Sequence, residues 1–142
     1  MNGYNYKEAV LVYYEELWNE KKKEYIDKLF DDDITFRGSL GLNTKGKKEF
    51  ERYFDNVSQG IPDLYHTIEV MICEKNLVSA RVHYHGKHTG KLFELEATNN
   101  LVRFNGASFF KFRNNKIVDA WVLGDLINLQ QQLNVLNMKT VM

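Results

Sequence analysis

Asp125 stands immediately before an apolar-periodic run that begins at Leu126, and two chemistries suit a carboxylate there. In a dry cavity it can take a proton from a carbon beside a carbonyl, if burial raises its pKa and a nearby donor steadies the enolate. At a helix start it can instead accept from the free backbone N–H groups of Leu126 to Asn128, worth on the order of 1 kcal/mol. The two roles are compatible if capping uses one oxygen. His88, in Gly86-Lys87-His88-Thr89-Gly90, ends a β-prone run. There an imidazole can reach a cavity mouth as proton donor or carbonyl anchor, or simply bond to a loop carbonyl. His66 alternates with Ile68, Val70 and Ile72, so it shares their side of a strand, as a core histidine or as a contact to a bound molecule. His83 and His85 share with Arg81 the side opposite Val78, Ala80, Val82 and Tyr84. Two histidines at i and i+2 suit a metal, but no cysteine or suitably spaced carboxylate completes a set, so no metal centre is predicted. Asp119, Arg81 and Asp125 supply the residue types of an Asp-Arg-Asp epoxide-opening site.

Other chemistries lack their residues. There is no G-x-S-x-G nucleophile turn, phosphate loop or dinucleotide fingerprint, and no cofactor is implied. Nineteen Lys plus Arg balance nineteen Asp plus Glu. The lysines at 21–23 and at 45, 47 and 48 lie among acids and do not interleave with aromatics, which argues against nucleic acid or an anionic membrane as partner. One cysteine, Cys73, can form no internal disulfide, and no leader or long apolar run is visible, so cytoplasm is the expected location. Nine Phe, eight Tyr and two Trp must over-fill a core or line a cavity. Trp121, Tyr13, Phe36, Phe104 and Phe110 are the expected walls.

The elements that position these residues form one domain over 1–142, without repeat or linker. Helical stripes run through Ala9, Val10, Tyr13, Leu17 and Trp18, then Tyr25, Ile26, Leu29 and Phe30. The acids at 31–33 are expected to break the second helix before a short strand at Ile34-Thr35-Phe36. Helix-start signals between Asn43 and Lys48 precede a third stripe, Phe50, Tyr53, Phe54 and Val57, that stops near Pro62. Beyond Pro62 the period becomes alternation, predicting one hairpin about Glu74-Lys75-Asn76 and a second about Asn114-Asn115. Leu126, Leu129, Leu133 and Leu136 then mark a last helix. Helices first and a long antiparallel sheet afterwards describe an α+β domain. Its N-terminal helices pack on the concave face of a curved, cone-shaped, mostly antiparallel sheet, with a C-terminal helix.

Four segments in order resemble one family. Pro62-Asp63-Leu64-Tyr65-His66-Thr67-Ile68-Glu69 is similar to its "PDLxxTVE" strand entry, and Val78-Ser79-Ala80-Arg81-Val82 with Gly86–Gly90 to its "VAVRW…GxHTG". Val102-Arg103-Phe104-Asn105-Gly106 is similar to "VxFxG". Asn115–Trp121, with Asp125 and Gln132-Leu133, is similar to "GKIVExW…D…QL", and a weaker match runs back through Gly46 to about Glu24. The chain thus resembles the SnoaL-like polyketide cyclases and ester cyclases, within the nuclear-transport-factor-2-like superfamily. It departs from their pattern at Phe109-Phe110-Lys111, at Arg37 and at Asn99-Asn100. The resemblance implies a cone of helices on a curved sheet, pairing of two copies through the outer sheet face, and a cavity for a small apolar molecule. It also implies a cofactor-free intramolecular aldol closure with Asp125 as general acid/base, and His88 is the candidate partner. Two readings follow: a cyclase or isomerase acting on a small apolar carbonyl compound, or a non-catalytic homodimeric small-ligand-binding or accessory protein.

Overall fold

A computed structural model describes residues 5–134. Asn5 accepts the Glu8 N–H at 3.1 Å and starts helix α1 (Tyr6–Val12), which passes without a break into a π-helical segment, Tyr13–Asn19. The wider π turn advances less per residue than an α turn, so the adjacent pairs Tyr13-Tyr14 and Leu17-Trp18 all lie on one buried face. Helix α2 (Glu24–Leu29) leads directly into strand β1 (Phe30–Arg37). The second helix thus ends just before the acids at 31–33, as expected, but those acids belong to the strand, which is longer than Ile34–Phe36. Strand β2 (Asn43–Lys45) precedes helix α3 (Gly46–Gly60), whose stripe Phe50, Tyr53, Phe54 and Val57 is buried.

Strands β3 (Tyr65–Glu74), β4 (Leu77–Lys87), β5 (Leu101–Arg113) and β6 (Lys116–Gly124) complete the sheet, and α4 (Leu126–Gln132) follows. The order is β2-β1-β6-β5-β4-β3, antiparallel except for β1 beside β6. Asn114 and Asn115 both adopt positive φ, 52° and 61°, the conformation that a two-residue β5–β6 hairpin demands. α3 packs against β1 and the π-helical segment against β3, covering the concave face. Alternation holds along β4, where Val78, Ala80, Val82 and Tyr84 are buried and His83 and His85 are on the outer face. In β3 it fails: the register shifts between Ile68 and Val70, so His66 faces inward while Val70 and Ile72 turn out, Ile72 with 63% of its surface exposed. A bulge inserts one residue and reverses the side every later residue takes. Leu136 lies outside the described residues.

Gly106 shows how the sheet makes room for its largest rings. A Cβ there would sit 2.7 Å from the Tyr84 hydroxyl and 2.9 Å from the Leu123 carbonyl oxygen, so only a bare backbone lets the Tyr84 ring lie across β5. That ring stacks on Phe104, with centroids 4.6 Å apart. Gly106→Ala should therefore lower stability by about 1–3 kcal/mol through overpacking. Urea denaturation measures the change, and one below about 0.5 kcal/mol would contradict this packing.

Candidate functional site

Between the helices and the sheet, Tyr13, Tyr14, Trp18, Phe36, Tyr53, His66 and Tyr84 surround a cavity of about 20 Å³. That holds about one water molecule, so the rings fill most of the cone. His66 is its most constrained group. Its backbone N–H donates to Asn19 Oδ1 at 2.7 Å, and Asn19 Nδ2 donates to the His66 carbonyl oxygen at 2.9 Å. These two bonds settle which end of the amide is oxygen. The same Oδ1 lies 3.1 Å from His66 Nδ1 and can only accept, so the ring carries its proton on Nδ1 and keeps a lone pair on Nε2.

The imidazole is enclosed by the rings of Tyr84, Tyr14 and Trp18, with centroids 5.0, 5.4 and 5.4 Å away. Burial lowers its pKa to about 3, and the positive charge of Lys21 and the neighbouring His85 push the same way. Around it, burial raises the phenols of Tyr13, Tyr14 and Tyr84 above the usual tyrosine range. It carries Tyr53 to about 12, although contacts from the Leu40 backbone and Ser39 oppose the shift. All four stay protonated donors. The Tyr14 hydroxyl lies near the hydroxyls of Ser108 and Tyr84, which oppose the rise of its pKa, although neither buried tyrosine hydroxyl has a partner at full hydrogen-bonding geometry. The site thus brings one neutral imidazole together with two buried tyrosine hydroxyls that lie near one another.

Of the residues singled out in the sequence, Tyr13, Phe36 and His66 line this cavity. Phe104 and Phe110 are buried behind it, stacked on Tyr84 and against Tyr13 respectively. Trp121 instead lies on the outer face, because Ala120 and Val122 take the inward positions of β6; it contacts Phe109, and the Arg37 guanidinium sits 5.1 Å over its ring. Asp125 is exposed, and its Oδ1 accepts the Asn128 N–H at 3.2 Å as the cap of α4. His88 is fully buried in the β4–β5 connection, where Nδ1 accepts the Thr98 N–H at 3.2 Å, placing its proton on Nε2. Burial lowers its pKa, against the pull of the Leu95 and Gly90 carbonyls. Asp125 and His88 therefore have separate partners outside the cavity wall. Asp119 accepts from Thr35 Oγ1 and Arg81 pairs with Glu69 on the outer face, so the Asp-Arg-Asp set does not converge.

Sequence reasoning missed Tyr14, Tyr53, Tyr84 and Asn19. Tyr84 shares the parity of Val82 and Ala80, and Tyr53 the stripe of Phe50 and Val57, so periodicity marked both as buried. Nothing in the sequence distinguishes Asn19 from a surface amide.

The sequence profile of the SnoaL-like polyketide cyclases matches residues 8–133. The chain belongs to this family. Among curated proteins none matches. The fold is that of a SnoaL-like protein from Jannaschia sp. CCS1, a candidate polyketide cyclase, with TM-score 0.85 and 13% identity over 93% of each chain. IdmH from Streptomyces antibioticus, also a candidate polyketide cyclase, superimposes with TM-score 0.79 at 17% identity, over 93% of this chain and all of its own. AclR from Streptomyces galilaeus, a candidate hydroxylase, does so with TM-score 0.80 at 20% identity, over 93% of this chain and 86% of its own. No helix of this SnoaL-like protein, among the described residues, is long and apolar enough to cross a membrane.

The position of His66 has a pH signature. Unfolded, it gains a proton near 6.5; folded, it stays neutral down to about 3. Between those values the unfolded chain binds the extra proton, so stability falls as pH drops through the window and levels off below it. The limiting slope is about 1.4 kcal/mol per pH unit. Wild type should therefore lose stability more steeply than His66→Gln between about pH 6 and 4, by about 1 kcal/mol per unit. Parallel profiles in urea titrations would mean that the imidazole charges freely in the fold.

Proposed function

We propose that this protein is a cofactor-free cyclase or isomerase of small carbonyl compounds, with proton transfer centred on His66. The observation that carries this reading is a neutral histidine of fixed tautomer lining a small aromatic-walled cavity, with the buried hydroxyls of Tyr14 and Tyr84, which lack a well-aligned partner, beside it. A substrate carbonyl oxygen is the acceptor those phenols lack. With its oxygen held by Tyr14 and Tyr84, the neighbouring C–H is acidified. Nε2 takes the proton, and the C–H electron pair becomes an enolate whose oxygen keeps both hydrogen bonds. The apolar surroundings disfavour an isolated imidazolium, but the enolate forms beside it and the two charges offset one another. For isomerisation the proton returns to a different carbon. For cyclisation the enolate carbon attacks a second carbonyl of the same molecule, and the new alkoxide receives the proton from His66.

Asp125 keeps its place as cap in this scheme. In D2O, wild type should speed exchange of the methyl protons of an aryl methyl ketone, followed by 1H NMR. His66→Gln should slow the catalysed exchange by about 100-fold or more. Tyr84→Phe should slow it by about tenfold or more. Asp125→Asn, which preserves capping, should leave it within about twofold. Loss of exchange in Asp125→Asn with activity intact in His66→Gln would return the acid/base role to Asp125.

The outer face of the sheet supports pairing of two copies, because Ile72, Leu77, Phe109, Trp121 and Leu123 form an exposed apolar patch across neighbouring strands. Sedimentation should report a dimer that Phe109→Glu converts to monomer. A monomeric wild type would rule the pairing out. The lone thiol, Cys73, accords with action in a reducing compartment such as the cytoplasm.

A further inference from the structure

Of the described residues that line the cavity, Ser39 is the one that also reaches solvent, while the rest are buried. Ser39 belongs to the turn between β1 and β2, so this turn is the thinnest part of the cavity wall. Gly41 donates its N–H to the Gly38 carbonyl oxygen and Gly38 donates to that of Leu42, each at 2.9 Å. Gly41 holds φ at +88°, a conformation open to glycine and strained for other residues. The Arg37 guanidinium donates to the Val122 carbonyl oxygen, and Arg37 pairs with Trp121 in the sheet, so the chain is fixed to β6 up to the first residue of the turn.

Beyond Arg37 the turn is wedged between β6 and α3. On the β6 side Gly124 is bare, and a Cβ there would meet the Ser39 carbonyl oxygen at 2.8 Å and the Ser39 Cβ at 3.1 Å. On the α3 side the Tyr53 hydroxyl occupies the place that a Cβ on Gly38 would take. The same phenolic oxygen lies beside the Leu40 backbone and the Ser39 side chain, and both hold its pKa down against burial. Leu40 packs against the core from the underside of the turn. The other walls are held by interlocked aromatic rings, whereas the turn is held by this fit and by one phenol. At about 20 Å³ the closed cavity has space for a carbonyl group and little more, so a larger molecule requires a wall to move. We propose that the β1–β2 turn is the lid of the cavity and the Tyr53 phenol its latch. A small molecule enters as Ser39 and Leu40 leave the phenol, which is then free to donate to an oxygen of that molecule. This rests on the reading of the cavity as the binding site and adds how that site opens.

The chain has two tryptophans, Trp18 in the cavity wall and Trp121 on the outer face, so in Trp121→Phe the fluorescence reports the cavity alone. Acrylamide, small and neutral, is the probe. In that background Tyr53→Phe should raise the quenching rate constant of Trp18 about fivefold, the change that one lost hydrogen bond brings to an opening equilibrium. Gly41→Ala should raise it by a similar factor, because a Cβ has space there but strains the turn, and it does so without altering Tyr53. Hydrogen exchange of the Gly38 and Gly41 amides should quicken in step with quenching in both variants, while the amides of β5 keep their wild-type rates. Unchanged quenching in Tyr53→Phe overturns the latch, and unchanged quenching in both variants overturns the lid. Quenching that rises only together with exchange throughout β5 marks general loosening and overturns both. Because acrylamide access requires no proton transfer, the two readings fail separately. Quenching that responds as expected without catalysed exchange of the methyl ketone leaves the lid and removes the carbonyl chemistry. Catalysed exchange with quenching unchanged does the reverse.

Discussion

The carboxamide of Asn19 accepts two hydrogen bonds from His66 and donates one to it, across 47 residues of chain. Through this one contact the end of the π-helical segment is tied to the start of β3, and the sheet is closed over by its N-terminal helix. The same contact chooses the imidazole tautomer, because an amide oxygen already oriented by a backbone N–H can only accept. In so apolar a setting each of these bonds is stronger than in water, and a lost partner would leave a buried polar group unpaired. Fold and tautomer thus rest on the same side chain.

Burial of aromatic rings supplies the rest of the environment. Phe50 meets Phe30, Phe36 and Trp18 edge to face, and Tyr13 meets Phe110 in the same way, so hydrocarbon edges fill the space between helices and sheet. The tyrosines tuck their hydroxyls against backbone instead, Tyr53 over Gly38 and Tyr84 over Gly106. Desolvation then acts in opposite senses on the two kinds of group: it keeps His66 uncharged by lowering its pKa and keeps the phenols protonated by raising theirs. A neutral imidazole and protonated phenols coexist because one buried environment sets both.

The two faces of the sheet divide the labour. The bulge after Ile68 turns Val70 and Ile72 outward, and the parity of β6 sends Trp121 and Leu123 the same way. Apolar residues that would over-fill the cone are placed instead on a broad outer surface, beside the Arg81–Glu69 pair and the two exposed-side histidines. The inner face keeps the residues that make a cavity and the outer face those that suit a flat contact.

Much of this fold is legible along the chain. Alternation through β4, β5 and β6, the paired asparagines at 114 and 115, the stripe of α3 and the cap at Asp125 are local signals, since each depends on residues within a turn or a pleat of one another. The resemblance of the stretch from Pro62 to Leu133 to the SnoaL-like proteins adds the curved sheet. Local signals could not separate the two roles open to Asp125, and they placed Trp121 in the cavity, because periodicity states which residues share a side without stating what that side faces. They also pass over the π turn, which reads like any helix, and the bulge, which leaves the residue types of β3 unchanged. Asn19 meeting His66, and Tyr53 and Tyr84 seated over Gly38 and Gly106, are contacts between elements far apart in sequence. Residue order thus determined the elements and their buried sides. Only tertiary packing decided that His66 is the histidine held in one tautomer at the cavity, because desolvation and hydrogen-bond partnership belong to the space between elements and not to any one of them.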